Sequence, residues 1–243
     1  MKAYFISDLH IKLEDKAKGL KLIEFLQNLP QDTTHLVLLG DVFDLWIGSH
    51  KYFIKKFPKI IAEFKKLLDR NVEIHYFEGN HDLHLSEFWG KQMGMFIHSD
   101  EYFFNLEGFV IRAEHGDLMN ADDKSYLFLR KALRSFPINV LATRLPGKIV
   151  EVIGDRSSRV SRFYNERINQ EYKNKVKRIT RDYAKKVYEE EPFDLIVTGH
   201  THVEDDFSFQ EGSRSVRSVN LGTWLDKPRA FVITKDEKKF IDL

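Results

Sequence analysis

Leu36-Val37-Leu38-Leu39-Gly40-Asp41-Val42-Phe43-Asp44 is an apolar run of strand length that ends in a glycine and then a carboxylate. Glycine permits a sharp turn, so the run reads as a buried strand delivering Asp41 to the open end of a sheet. The arrangement recurs along the chain. Tyr4-Phe5-Ile6-Ser7 runs into Asp8, and Ile74-His75-Tyr76-Phe77-Glu78-Gly79 into Asn80. Phe109-Val110-Ile111-Arg112-Ala113-Glu114 runs into His115, and Leu195-Ile196-Val197-Thr198-Gly199 into His200. In open α/β sheets, sites form beyond the carboxyl ends of the strands. Five strands that each end in a metal-competent side chain predict one shared edge, with Asp41 as the carboxylate between two metal ions.

Composition narrows the class. The chain has 243 residues, 42% hydrophobic and 31% charged, enough for one substantial core and unlike a disordered chain. A formal net charge of +1 gives no global case for a nucleic-acid partner. The absence of cysteine excludes disulfides and thiolate ligands, so oxygen and nitrogen must hold any metal. It also fits a reducing compartment. No run reaches about 18 apolar residues, so neither a signal peptide nor a transmembrane helix is expected and the location reads as cytoplasmic.

Taken in order, residues 16–29 show a helical stripe that stops before Pro30, between two strand patterns. Strand, helix, strand with a short connection predicts a right-handed parallel crossover. Phe43 to Gly48 is an aromatic, apolar loop that either folds onto the core or walls the site. Residues 53–69 are helical with Pro58 inside, which predicts a kink or two shorter helices. Residues 101–113 read as two strands around Glu107-Gly108, and short strands are expected at 206–209, 216–220, 229–234 and 238–242. The loop Val219 to Trp224 is expected near the site edge. His35, His50, His75, His84 and His98 have no comparable setting and read as surface or core histidines.

Residues 120–190 break the pattern with helical stretches and no convincing strand. The span 126–145 is apolar and aromatic, divided by Pro137 and followed by Pro146. The span 156–186 carries eleven Lys and Arg against three Asp and Glu. Such a basic stretch beside an apolar pair reads as a solvated face on an ordinary insertion or as contact with an anionic lipid surface; nucleic acid is the weaker third reading.

The ordered set is Asp8-x-His10, Gly40-Asp41-x-x-Asp44, Gly79-Asn80-His81-Asp82, His115-Gly116-Asp117 and Gly199-His200-Thr201-His202. Each is weak alone; together and in this order they are specific. The chain resembles the calcineurin-like metallophosphoesterases. That resemblance implies an α/β (α+β) fold, a sandwich of two mixed β-sheets flanked by helices, as a single domain over residues 1–243 with a helical insertion at about 120–190 capping the site. It implies one metal held by Asp8, His10, Asp41 and His202, and a second held by Asp41, Asn80, His115 and His200. Manganese is the usual ion; oxygen and imidazole donors also admit iron or zinc. His81 is expected not to ligate but to act with Asp41 and Asn80 in catalysis, as general acid or electrostatic clamp, with Asp82 orienting its ring.

A closer resemblance is to the UDP-2,3-diacylglucosamine hydrolases of lipid A biosynthesis. It rests on Gly40 to Gly48, on His115-Gly116-Asp117 followed by Asp122, Asp123 and Tyr126, and on Gly222-Thr223-Trp224. It implies cleavage of a nucleotide-sugar pyrophosphate to UMP and a diacylglucosamine 1-phosphate. The implied substrate contacts are Asn80, His81, Asp123 and His200, with the insertion as an acyl-chain cap. The best-known members carry Arg where this chain has His81. The alternative is a related phosphatase or phosphodiesterase acting on another phosphoester, a nucleotide or a nucleic acid. A non-catalytic scaffold is the third reading, disfavoured because every ligand is retained. Peripheral contact with the inner membrane surface fits the first reading, and no obligate protein partner is inferred.

Overall fold

A computed structural model of the chain describes residues 2–12, 15–106, 108–152, 169–225 and 227–243. Period-two alternation organises its centre. In β1 (Ala3–Ile6), Ala3 and Phe5 face one side of the sheet while Tyr4 and Ile6 face the other. β2 (His35–Leu38) divides the same way, with Val37 against Leu36 and Leu38. In β4 (Glu73–Phe77), Phe77 is set against Ile74 and Tyr76. Both faces are apolar, so both are covered.

Two mixed sheets result. β13 (Lys238–Asp242), β12 (Arg229–Ile233), β1, β2, β4 and β6 (Phe96–His98) form the first in that order. Its β1, β2, β4 and β6 are parallel, and β12 and β13 close it antiparallel. The second runs β10 (Asp205–Glu211), β11 (Arg214–Asn220), β9 (Leu195–Thr198), β8 (Phe109–Ala113) and β7 (Tyr102–Leu106). There β11, β9 and β8 are parallel, and β7 and β8 form the expected hairpin, with Gly108 at φ 89° in its turn. β3 (Trp46–Ile47) and β5 (Asp82–Leu83) make a small parallel pair beside them.

Between the sheets lie Phe5, Val37, Leu39 and Phe77 from one side and Phe104, Ile111, Leu195 and Val219 from the other. The outer face of the first sheet packs on α1 (Lys16–Asn28), α2 (Lys51–Lys56) and α3 (Pro58–Asp69). Pro58 starts α3, where its missing N–H costs nothing, so the 53–69 pattern is two helices. The Phe43–Gly48 loop belongs to this core. Trp46 is fully buried among Phe43, Phe53, Phe57, Phe88 and Trp89, which overturns the reading of these rings as a wall of the site. A π-helix (Ser86–Gln92) that the sequence pattern did not signal supplies Phe88 and Trp89.

The stretch 120–190 holds α4 (Lys124–Leu133), α5 (Phe136–Arg144) and α6 (Gln170–Glu190), and no strand among the described residues. Part of the basic span, residues 156–168, lies outside the described residues. α6 presents Val176, Thr180, Ala184 and Val187 as one buried stripe, and its second half packs on Ile196, Phe209 and Val216 of the second sheet. Arg181 grips Asp205 through two hydrogen bonds of 2.8 and 2.9 Å, and Lys177 adds a contact at 3.3 Å. Part of the basic face is thus spent on holding the helix to β10. α4 buries no side chain; Phe128 is 76% exposed and Leu141 of α5 54%. No described helix is long and apolar enough to cross a membrane.

Candidate metal centre

The five strands named at the outset, β1, β2, β4, β8 and β9, are split between the two sheets, and their carboxyl ends meet across the sandwich. The turns after β1, β2 and β9 hold non-glycine residues in an uncommon, left-handed conformation. Of seven described non-glycine residues with positive φ, five are Asp8, His10, Asp41, His200 and His202. Left-handed backbone costs an ordinary residue about 1–2 kcal/mol, so its concentration here marks a place where side-chain chemistry overrides backbone preference. Close approach is required as well. A Cβ on Gly79 would strike the Asp41 carboxylate and backbone, and one on Gly199 would lie 2.5 Å from both Asp8 Oδ2 and Ser7 Oγ.

The side chains converge. Asp8 Oδ1 lies 3.2 Å from His202 Nε2 and 3.9 Å from His10 Nε2. Asp41 Oδ2 lies 3.9 Å from His10 Nε2 and 3.8 Å from His115 Nε2. His10 and His202 place their Nε2 atoms 3.1 Å apart, and Asn80 Nδ2 is 3.0 Å from His200 Nδ1. All seven ligands expected from the sequence are therefore in one cluster. Asp8, His10, Asp41 and His115 are buried, and Asn80, His200 and His202 are half-buried.

The donor atoms suit divalent cations. His115 donates Nδ1–H to the Leu39 carbonyl at 2.7 Å, which leaves Nε2 as a lone pair. That atom and Asp8 Oδ1 are buried without a hydrogen-bond partner among the described residues, though both face oppositely charged or basic groups. Unsatisfied buried atoms are costly, and a cation between them removes the cost. Asp41 Oδ1 is fixed by the backbone N–H groups of Asn80 and His81 at 2.7 and 2.9 Å, so Oδ2 faces the cluster. The Asn80 oxygen accepts from the Tyr126 hydroxyl; a half-turn of the amide exchanges its oxygen and nitrogen.

Electrostatics reinforce the geometry. Burial alone would raise the Asp41 carboxyl, but His81, His115 and His10 together hold it far below the usual range. Asp8 is likewise lowered, burial being outweighed by His202 and His115. Burial pushes His10 and His200 down to about 4, so both rings are neutral and able to ligate near pH 7. His115 and His202 move up because the carboxylates outweigh burial.

Asp82 does not orient His81. Its carboxylate turns inward and accepts from the N–H groups of Asp41 at 2.9 Å, Val42 at 2.8 Å and Gly79 at 2.9 Å, and from the Tyr76 hydroxyl at 2.6 Å. It clamps the turns after β2 and β4 together. His81 is oriented instead by the Asp44 carbonyl, 2.9 Å from its Nδ1, and its ring stands edge-on to His10 at 4.8 Å. The Val219–Trp224 loop lies behind the ligands rather than along the cavity. Thr223 Oγ1 and Trp224 N both donate to the Asp8 carbonyl, at 2.9 and 3.2 Å.

A cavity of about 330 Å³ opens in front of the cluster. His10, Asp41, Asn80, His81, His200 and His202 form its floor. Asp123 stands exposed at its rim, capping α4 by accepting from Tyr126 N at 2.9 Å. The opposite wall is Tyr172, Lys175, Val176 and Ile179 of α6, and the sequence reading missed them. Their spacing of 3, 4 and 7 residues is the available signal: one helical face, hidden inside a run read only for its charge. Asp117 was likewise without a role. It accepts from Tyr126 at 2.9 Å and Arg130 at 2.6 Å, tying α4 to the floor.

Comparison with known proteins gives the family. The calcineurin-like phosphoesterase profile matches residues 1–204. UDP-2,3-diacylglucosamine hydrolase from Haemophilus influenzae is 29% identical over 97% of this chain and 95% of its own. The proteins of the same name from Psychromonas ingrahamii and Klebsiella pneumoniae are 26% and 27% identical, over 98% and 99% of this chain and 95% and 98% of theirs. Among solved structures, an archaeal phosphodiesterase aligns over 100% of both chains at 16% identity, with a TM-score of 0.49. With the family profile matching residues 1–204, well over half of its length, the chain belongs to the calcineurin-like phosphoesterase family.

Proposed function

We propose that the protein is a dinuclear-metal hydrolase that cleaves the pyrophosphate of UDP-2,3-diacylglucosamine, giving UMP and 2,3-diacylglucosamine 1-phosphate. The observation that carries this reading is the cluster of seven oxygen and nitrogen donors with two orphaned buried atoms, in a chain aligned nearly end to end with hydrolases of that name. Asp8, His10, Asp41 and His202 would hold one ion, and Asp41, Asn80, His115 and His200 the other. Manganese is the ion of choice, with iron or zinc compatible with the same donors. Two divalent cations held there would supply Lewis acidity at phosphorus and lower the pKa of a bound water.

The chain's own groups do the rest. Asn80 N–H and His81 N–H fix the shared carboxylate. His81, with Nδ1 on the Asp44 carbonyl, holds at Nε2 the proton that neutralises the leaving phosphate. Asn80 and His200 contact the phosphate, Asp123 and Lys175 meet the polar end of the substrate, and Val176 and Ile179 meet its acyl chains. Residues 120–190 then act as a cap on a single catalytic domain. The exposed apolar side chains of α4 and α5, with the basic face of α6, make peripheral contact with the cytoplasmic face of the inner membrane.

Turnover of UDP-2,3-diacylglucosamine by purified protein with Mn²⁺, compared with a generic aryl phosphodiester, tests the substrate. A kcat/KM at least a hundredfold higher for the lipid is expected; turnover of the generic ester alone overturns the assignment and favours a related phosphodiesterase. That second reading draws on His81, which by the resemblance stands where the best-known lipid A enzymes carry Arg. His81→Ala is expected to keep its metal and lose most turnover; full activity removes His81 from the mechanism.

A further inference from the structure

We propose that His35, Glu73 and His75 form a separate transition-metal site of the zinc class, at the amino-terminal ends of β2 and β4. The phosphoesterase cluster follows the other ends of the same strands, roughly 15–20 Å away by the rise of an extended chain. The site stands independently of the proposed substrate.

Strand register brings the three together. β2 and β4 are parallel with His35 opposite Glu73. Glu73 and His75 are two residues apart, so they share a face, and His35 is on the same face. The ligand atoms lie within 4.8 Å of one another, with Glu73 Oε2 at 3.7 Å from His35 Nε2 and 3.8 Å from His75 Nε2. Ligands around a tetrahedral zinc at about 2.0–2.1 Å are about 3.3 Å apart, so the two carboxylate–imidazole distances of 3.7 and 3.8 Å need close by only a few tenths of an ångström, and the two imidazoles draw together from within 4.8 Å. Neither distance is a hydrogen bond.

A second observation points to a ligand. His75 is 4% exposed, and its Nε2 has no hydrogen-bond partner among the described residues. The other nitrogen of each ring is engaged. His75 Nδ1 lies 2.9 Å from His98 Nε2, and His35 Nδ1 lies 2.8 Å from Thr34 Oγ1. The Thr34 hydroxyl donates to the Lys2 carbonyl at 3.1 Å, so Oγ1 accepts from His35 Nδ1–H and the Nε2 lone pair faces Glu73. The His75 Nδ1 contact with His98 Nε2 accommodates the tautomer in which Nδ1–H is donated to His98, and in that tautomer His75 Nε2 is a lone pair too. Outer partners of this kind are what metal-binding histidines use. The rings are also held in place: Phe96 stacks on His75 at 4.8 Å, and Phe104 meets it edge-on at 4.7 Å.

An ordinary ion pair with Glu73 would require a protonated ring. Burial pushes His75 down to about 3 and lowers His35, so both are neutral near pH 7. Two imidazoles and one carboxylate match the three protein ligands of an open zinc site. Glu73 is exposed, which gives an ion a path in from solvent.

The test is metal stoichiometry on the full-length protein. Chelator-stripped protein is dialysed against micromolar Zn²⁺ and its content measured by mass spectrometry, alongside Glu73→Gln and the double variant His35→Gln/Glu73→Gln. The wild type is expected to hold one more equivalent than the double variant, and Glu73→Gln to bind that equivalent at least tenfold more weakly. Glu73→Gln changes an exposed side chain and keeps the fold. Equal stoichiometry and affinity in wild type and Glu73→Gln overturn the proposal. Substituting Co²⁺ gives a second readout: the visible absorption of a four-coordinate ion is lost in Glu73→Gln if the site exists and unchanged if it does not. Phosphoesterase turnover is expected to be the same in all three proteins.

Discussion

Replacing Asp82 by alanine strips the turns after β2 and β4 of their common acceptor. The carboxylate receives three backbone N–H groups and one hydroxyl, and the residue is wholly buried. No water reaches the vacated donors, so each costs about 1–3 kcal/mol if left unpaired. Partial relaxation of a polar turn would recover some of this, so a loss of about 4–6 kcal/mol is expected, a large part of the stability of an ordinary domain. The loss should be specific in kind as well. Asp41 N is one of the four donors, so the shared carboxylate should also lose its aim and bind metal more weakly. Tyr76→Phe deletes one hydrogen bond to a charged group and should cost about 1.5–3 kcal/mol with the metal site intact. Urea denaturation with and without Mn²⁺, and Mn²⁺ titration of each variant, separate the two effects. A loss below 1 kcal/mol with unchanged metal affinity in Asp82→Ala would refute the clamp. If Asp82→Ala does not fold, Asp82→Asn, which turns an amide N–H toward donors, should still fall below Tyr76→Phe in both measurements.

Trp46→Ala removes a fully buried ring from the centre of an aromatic cluster and should lower stability by about 3–5 kcal/mol at unchanged m-value. Tyr126→Phe breaks the hydroxyl link from α4 to Asn80 and Asp117. About a tenfold fall in kcat/KM at full metal content is expected, and an unchanged value would show that α4 is not positioned through this contact. His35, His75 and His98 all have pKa values lowered by burial, to about 3 for His75 and about 4 for His98. Being neutral in the fold and protonated when unfolded, they contribute stability that is complete above about pH 6.5 and falls as pH drops toward 4. In chelator, urea midpoints should therefore decline across that window, less steeply in His98→Gln. Phe128→Asp with Leu141→Asp should abolish sedimentation with anionic phospholipid vesicles while leaving turnover of a water-soluble diester unchanged.

The site was legible because its chemistry is written at strand ends. Asp8, Asp41, Asn80, His115 and His200 each follow an apolar run, and the run fixes both the strand and the end at which the side chain emerges. Two sheets instead of one open sheet did not change the outcome, since β8 and β9 point their carboxyl ends at the same place as β1, β2 and β4. Asp82 was misassigned because adjacency suggests partnership with His81, whereas neighbours in an extended segment face opposite ways. Tyr172, Lys175, Val176 and Ile179 were obscured because a helix that packs on a sheet and lines a cavity carries two stripes, and the charge count merged them. The π-helix has no periodic signature short enough to read, and β3 and β5 are two residues each.

The left-handed backbone at five donor positions has a consequence for how such a protein drifts. Glycine is the residue that these φ values favour, yet glycine carries no donor atom. At His10 or His202, a change to glycine relaxes the main chain by roughly 1–2 kcal/mol while it erases a ligand. Selection for heat resistance alone would therefore pull these positions toward glycine, and the proposed role in holding metal is what would keep imidazole there.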